Sequence, residues 1–312
     1  MMDLLARPLS VVAHDAGAAN HIFAWLGCKH ATMCLTGPAW QLWEAHLQKK
    51  NALGSDSWLT PQRKCVYSPS SRLDLAAALD GAVTVVTGTG WESSLEHDAR
   101  KLARDMGIRS IAVIDHWVNY ADRFIRNREQ VLPDEIWVSD SYAEKIAKAT
   151  FPTVQVKQQT NKYMEKLVAE VESCQTSTTS QANDRILYVL EPIRQNWGEL
   201  TEPGEFLALD YFMANLHCAP VSQDAQIRLR PHPSDPPGKY YAWIARQLNP
   251  QVTLDLSTSL AEAIAWSNVV AGCQTYAMVL ALACKRTVIS TIPPWAPPCT
   301  LPQFDIIQLS HI

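Results

Sequence analysis

The run Arg228-Leu229-Arg230-Pro231-His232-Pro233-Ser234-Asp235 sets two guanidinium groups and an imidazole at the end of an apolar segment. Residues two apart on a strand share a face, so Arg228 and Arg230 project to the same side. Pro231 and Pro233 cannot extend a hydrogen-bonded ladder, which leaves His232 at the carboxyl end of that strand. A histidine there can act as acid or base. Beside an arginine it is better suited to donate to a phosphate or carboxylate. The competing reading is an edge strand whose arginines are solvated.

Two further segments of the second half carry polar groups at turns. In "NVVAGCQTYAMVLALA" (268–283) a strand ends at Gly272, Cys273 to Thr275 make a turn, and an apolar helix begins. Free backbone N–H groups and the positive end of a helix dipole would then meet a ligand anion, with Gln274 and Thr275 as extra donors. A plain capped core helix accounts for the same residues. In "DLSTSLAEAIAWSN" (255–268), Ser257 or Ser259 can cap a helix, with Glu262 placed to close a capping box on Ser259. The same hydroxyls could touch a phosphate.

The first half offers acids. "AHDAGAANH" (13–21) gathers His14, Asp15, Gly17 and Asn20 on the first strand–helix turn. Asp15 is the natural base for deprotonating a hydroxyl, and Gly17 permits close backbone approach; a turn-forming aspartate is the alternative. In "TGTGWESS" (87–94), Thr89 is read as a helix cap and Glu92 as a first-turn acid. "VIDHWVNYADRF" (113–124) packs Asp115, His116, Trp117, Asn119, Tyr120 and Arg123 behind a strand, a set suited to holding a sugar or another ring-shaped acceptor.

These residues need strands that end where they stand. Apolar runs at 9–15, 31–37, 64–68, 83–90, 110–115 and 135–141 alternate with helical patterns at 18–27, 38–50, 71–81, 92–107 and 142–151. The alternation resumes with strands at 185–192, 226–233, 252–257, 268–272 and 286–291, and helices at 203–217, 238–247, 259–267 and 274–284. Continuous apolar strands between helices indicate parallel sheets covered on both faces, with ligands at the carboxyl ends of the strands. The fold class is therefore α/β, with two doubly wound Rossmann-like domains, 1–173 and 185–312. The polar, aperiodic "CQTSTTSQAND" (174–184) reads as the linker, so that a cleft between the domains is expected.

Composition narrows the classes. The chain has 312 residues, a net charge of -4 and a pI near 6.1, which offers no basic field for nucleic acid or an anionic membrane. Eight scattered cysteines include no pair at zinc spacing and suit a reducing compartment. No stretch has 18 consecutive apolar residues and no signal cleavage site is visible, so a soluble cytoplasmic protein with at most peripheral membrane contact is expected. The 11 tryptophans, against 9 tyrosines and 6 phenylalanines, favour stacking platforms or half-buried surfaces. "SDS" at 55–57 and 139–141 carries one carboxylate each time, so no Asp-x-Asp metal site is expected.

Over most of its length this pattern resembles the two-domain GT-B glycosyltransferases and the related UDP-N-acetylglucosamine 2-epimerases. Bacterial sialyltransferases and Kdo-type transferases of that group use CMP-activated sugars. They carry a His-Pro motif after a strand of the C-terminal domain, a hydroxyl-bearing helix start, and an acidic-Gly motif in the N-terminal domain. His232-Pro233 resembles the first of these. Gln274-Thr275, or else Ser257 to Ser259, resembles the second, and Asp15-Ala16-Gly17 the third.

The helix after the phosphate turn, "TYAMVLALACK", lacks the glutamate that grips ribose in UDP-sugar enzymes, which favours a CMP-sugar. The long C-terminal helix common in the group is not seen at the end of the sequence, which leaves the mode of closure open.

The resemblance implies a metal-independent, inverting glycosyltransferase that needs no cofactor beyond a nucleotide sugar as donor. Its acceptor is expected to be a surface glycan or glycolipid. Asp15 and His232 are the expected catalytic pair. Arg230, Gly272, Cys273, Gln274, Thr275, Ser257 and Ser259 would bind the donor, and His14, Gly17, Asn20, Asp115, His116 and Asn119 the acceptor. The alternatives are a nucleotide-sugar epimerase or hydrolase on the same fold, or a non-catalytic binding protein.

Overall fold

Burial along the first strand shows how the sequence sets the architecture. Leu9–Ala13 is buried at every position, and its alternate side chains enter two different cores. Leu9, Val11 and Ala13 join Ile22, Leu35 and Trp43 on one side, while Val12 joins Cys34, Leu79, Val85 and Leu102 on the other. A strand with two apolar faces needs helices over both. A computed structural model describes residues 8–26, 31–52, 65–67, 72–174, 184–193, 197, 202–222, 224–247 and 252–312. The chain divides into two compact units, Met1–Tyr163 and Met164–Ile312. Most of the expected linker, 175–183, lies outside the described residues.

Unit 1 runs β1 (Leu9–Ala13), α1 (Ala16–Leu26), β2 (Ala31–Leu35), α2 (Gly37–Ala52), β3 (Cys65–Tyr67), α3 (Arg72–Leu79), β4 (Thr84–Thr87), α4 (Leu95–Asp105) and β5 (Arg109–Val113). A small hairpin, β6 (Ile125–Arg126) and β7 (Glu129–Gln130), precedes β8 (Glu135–Val138), α5 (Ser141–Thr150), β9 (Gln155–Gln158) and α6 (Lys162–Ser173), within which the division between the units falls. Seven strands pair in the order β3-β2-β1-β4-β5-β8-β9, all parallel. The chain winds outward from β1 to β3 and then restarts on the other side at β4. The topological switch therefore lies between β1 and β4, where open α/β sheets bind ligands.

Unit 2 contains β10 (Arg185–Val189), α7 (Gly204–Ala214), β11 (Gln226–Arg230), α8 (Tyr241–Ala245), β12 (Val252–Leu254), α9 (Leu260–Trp266), β13 (Val269–Gly272), α10 (Tyr276–Ala283), β14 (Thr287–Ser290) and β15 (Ile307–Gln308). Its six strands pair in parallel in the order β12-β11-β10-β13-β14-β15, which puts the switch between β10 and β13. Both units are doubly wound and Rossmann-like, in agreement with the expected fold class.

Three findings depart from the sequence reading. β11 is an inner strand between β10 and β12, so the solvated-edge reading of its arginines is wrong. β9, "QVKQ", closes the sheet of unit 1 although no apolar run announced it. Its Lys157 and Arg109 of β5 both pair with buried Glu135 of β8, at 3.0 and 2.6 Å, so charge helps to tie this edge together. The tryptophans divide between core and surface: Trp43 and Trp243 are enclosed, whereas Trp91 and Trp295 are about half exposed. Among the described residues no helix is long and apolar enough to cross a membrane.

Candidate functional site

The switch of unit 1 collects the acids read from the sequence. Asp15 follows β1 at the start of α1. Asp115 lies just beyond β5, and a Cβ built on Gly17 would stand 1.7 Å from its Oδ2, so any other residue there would have to displace this carboxylate. Gly90 presses similarly on Asp15, where a Cβ would lie 2.8 Å from the aspartate Cβ. Burial raises the Asp15 carboxyl above its ordinary value, and the negative charge of Asp115 raises it further; the Ala16 N–H, Arg123 and His14 pull the other way. A half-buried acid of this kind is well suited to hold or take a proton.

Arg123 organises the rest of the cluster. Its Nη1 donates to Asp115 Oδ1 at 3.0 Å and to Thr89 Oγ1 at 3.2 Å, and its Nε donates to the Val118 carbonyl at 3.1 Å. Thr89 donates in turn to the Val113 carbonyl at 2.9 Å. The threonine read as a helix cap therefore joins the ends of β4 and β5 instead, and α4 starts later, after Ser94. The Arg123 guanidinium also lies 5.6 Å from the centre of the exposed Trp91 ring, a cation–π pair.

Burial lowers the basicity of His116, with Asp115 opposing and Arg123 adding to the effect. Asn119 is exposed and takes a left-handed φ of 58°, and its carbonyl accepts from the Arg123 N–H at 3.1 Å. Its visible work is to make this turn, where it had been expected to hold a substrate hydroxyl. His14 keeps its ring against Gly37, and Asn20 sits half-buried one turn beyond Gly17 on α1.

Two residues of this region were not anticipated. Glu96 of α4 is 1% exposed and accepts from the backbone N–H groups of His14 at 3.0 Å and Gly90 at 2.7 Å, so one carboxylate spans both loops of the switch. Burial raises its carboxyl, against those two N–H groups and Arg100. His21 is also enclosed, between Trp25 and Tyr163, and its Nδ1 has no partner among the described residues. Burial lowers its basicity while Asp115 and Asp140 oppose.

In unit 2 the expected donor-binding residues fall into two groups. Beside β11, Arg228 stacks 3.9 Å from the centre of Trp266, and Arg230 pairs with fully buried Asp255 at 2.5 Å and with the Ser257 carbonyl at 3.3 Å. Ser257 Oγ donates to the other oxygen of Asp255 at 2.7 Å. Arg230 and Ser257, read as phosphate partners, are first of all partners of this buried acid. Ser259 caps α9 by accepting from Glu262 N at 3.1 Å. The glutamate closes on Thr258, N–H and hydroxyl alike at 2.9 Å, one residue before the expected box.

The turn after β13 is likewise less open than expected. Gly272 is required by proximity, since a Cβ would lie 2.7 Å from the Val189 carbonyl. Cys273 is buried, its thiol pushed up by burial and then by Glu191. The Gln274 N–H, expected to be free for an anion, donates to Glu191 Oε2 at 3.0 Å. Gln274 Oε1 accepts from Thr300, and Thr275 Oγ1 accepts from Ala277 N at 3.4 Å as the cap of α10. Glu191, half-buried and raised by burial, thus occupies part of the anion position. His232 stands at the carboxyl end of β11 as read. Among the described residues no group of three His, Cys, Asp or Glu is placed to hold a metal ion.

The sequence matches no family model and no curated protein. In fold the chain is similar to solved structures of UDP-GlcNAc 2-epimerases. The enzyme of Methanocaldococcus jannaschii aligns with a TM-score of 0.56 at 9% identity, covering 90% of this chain and 83% of its own. The Neisseria meningitidis enzyme, bound to UDP-GlcNAc, aligns with a TM-score of 0.54 at 12% identity over 86% and 78%. S. aureus MnaA with UDP gives 0.56 at 9% identity over 90% and 78%. The fold of this chain is the GT-B-like fold of these enzymes.

Proposed function

We propose that the chain is a metal-independent glycosyltransferase that moves a sugar from a nucleotide sugar, CMP-linked in preference to UDP-linked, to a glycan or glycolipid hydroxyl in the cytoplasm. The observation that carries this reading is Asp15, a desolvated carboxyl at the switch of unit 1 with Asp115 beside it. In the reaction, Asp15 takes the proton of the acceptor hydroxyl as its oxygen bonds to the anomeric carbon. The bond from that carbon to the nucleotide phosphate breaks with inversion, and the phosphate leaves with the electron pair. His232 donates to the leaving phosphate from unit 2. The nucleotide sugar bound by the meningococcal neighbour supports the donor class. The absence of an acid from "YAMVLALA" in α10 supports the choice of nucleotide.

A second reading, a nucleotide-sugar 2-epimerase, is favoured by the likeness in fold to epimerases over 86 to 90% of the chain. One experiment separates the two. CMP- and UDP-sugars are incubated with the protein, with and without an acceptor glycan, and followed by mass spectrometry and proton NMR. The transferase reading expects consumption of a CMP-sugar that depends on acceptor. Conversion of a UDP-sugar to its epimer without acceptor would overturn it.

A further inference from the structure

His232 lies between two prolines, and the hydrogen bonds of the loop that follows define which of its nitrogens carries a proton. We propose that Ser234 and Asp235 lock the neutral ring of His232 as the Nε2–H tautomer, making it a fixed hydrogen-bond donor toward its ligand and unavailable as a base. The lock itself needs no ligand; its use on a donor phosphate rests on the function proposed above.

The backbone N–H of Ser234 points at His232 Nδ1 from 3.2 Å. An N–H group can only donate, so Nδ1 must present its lone pair and the ring proton must sit on Nε2. The Ser234 hydroxyl lies 2.8 Å from the same nitrogen and donates to it as well. The loop is closed by reciprocal bonds: Asp235 N donates to the His232 carbonyl at 2.9 Å, and His232 N donates to Asp235 Oδ2 at 3.0 Å.

Asp235 is in turn held on every side. Its side chain is fully buried. Tyr240 Oη donates to it at 3.0 Å and Lys239 Nζ at 2.7 Å, and the lysine also contacts buried Glu205 of α7 at 2.6 Å. Burial works against its charge, but Lys239, the His232 N–H and Tyr240 hold the carboxyl below its usual range. The carboxylate is thus favoured in its ionised form, and it ties the histidine backbone to α7 through Lys239.

Such a histidine donates to a phosphate oxygen in one direction without reorganising, which is what preorganised stabilisation of a leaving group requires. It also leaves the proton of an attacking hydroxyl to another group. Asp235 and Ser234 are positioning residues, acting through the backbone and ring of His232.

The test is a long-range 15N–1H correlation spectrum of the full chain labelled with 15N, with the His232 signals assigned by their loss in His232→Gln. The expected wild-type pattern has a protonated Nε2 and an unprotonated Nδ1, and it persists in Ser234→Ala, which keeps the backbone N–H. Asp235→Asn should mix the tautomers and weaken CMP binding about tenfold in calorimetry, the low end for a hydrogen bond to a charged group.

An Nδ1–H pattern in the wild type overturns the lock whatever CMP does, and so does its appearance in Ser234→Ala should Asp235→Asn fail to fold. A folded Asp235→Asn protein with the wild-type pattern and affinity overturns the role of Asp235. The Nε2–H pattern together with unchanged CMP affinity in His232→Gln confirms the lock and removes the phosphate reading instead.

Discussion

The two units share one winding pattern and build its critical point differently. At each switch a carboxylate accepts from backbone N–H beyond a strand end: Glu96 from His14 and Gly90 in unit 1, Glu191 from Gln274 in unit 2. Glu96 comes from a helix, is enclosed, holds two N–H groups and has Arg100 nearby. Glu191 comes from the loop itself and is only half-buried, with a single N–H against its charge. The first is a brace that keeps two loops at fixed spacing. The second sits on a turn N–H that was expected to be free for an anion. The same topology thus gathers Asp15 and Asp115 at one switch and, at the other, sets Glu191 against the turn that was read as an anion site.

The sharpest way to break this contrast is to neutralise the acid of unit 1. Asp15→Asn should lower kcat by about 10²–10⁴, the range for loss of a general base, and leave CMP affinity unchanged. Steady-state turnover and calorimetry on one preparation read both quantities. Turnover within a few-fold of wild type would mean that the acids of unit 1 do no chemistry.

The next effect concerns stability. Arg230→Met strands a fully buried Asp255, so urea unfolding should show a loss of about 3–5 kcal/mol, as for other broken buried pairs. If the variant keeps wild-type stability and loses CMP binding, the arginine serves the ligand and Asp255 does not depend on it.

How much of this was legible depended on whether a residue's partner is local in sequence. The central strands were, because a strand buried on both faces must be a continuous apolar run, as "VVA" and "VTVVT" are. The strand ends were legible as well, since Asp15, Gly272 and His232 stand where those runs stop. β9 was not, because an edge strand carrying Lys157 to a buried glutamate has no apolar run to show.

Glu96 and Arg100, four apart on a helix, look like an exposed ion pair. Only the placement of α4 over the ends of β1 and β4 reveals that both are buried. Glu191 and Gln274 are 83 positions apart, beyond any local pattern. The bonds around His232 span at most a few residues, and the Pro-x-Pro-Ser-Asp run could have signalled them through the tendency of aspartate to accept from nearby backbone N–H groups.

The smallest expected effect bears most directly on whether the turn of unit 2 is built for an anion. Burial raises the folded-state carboxyl of Glu191, so the folded chain holds its proton to higher pH than the unfolded chain does. Stability from this residue is therefore present in acid and declines as pH rises through the folded-state value. Glu191→Gln removes the ionisation and retains a carbonyl oxygen for the Gln274 N–H. The variant should match wild type near pH 4, about the unfolded glutamate value, and gain on it as the pH rises.

If a phosphate approaches the same N–H, the variant should also bind CMP about fivefold more tightly at neutral pH. A unit repulsion at 4 Å amounts to about 1 kcal/mol even in water. Urea titrations across the pH range and CMP calorimetry test the two halves separately. A stability gain without an affinity gain would keep Glu191 as a strained carboxylate but take the anion away from the β13 turn. The contrast between the two switches would then be one of burial alone, and the phosphate contact would have to be sought at His232.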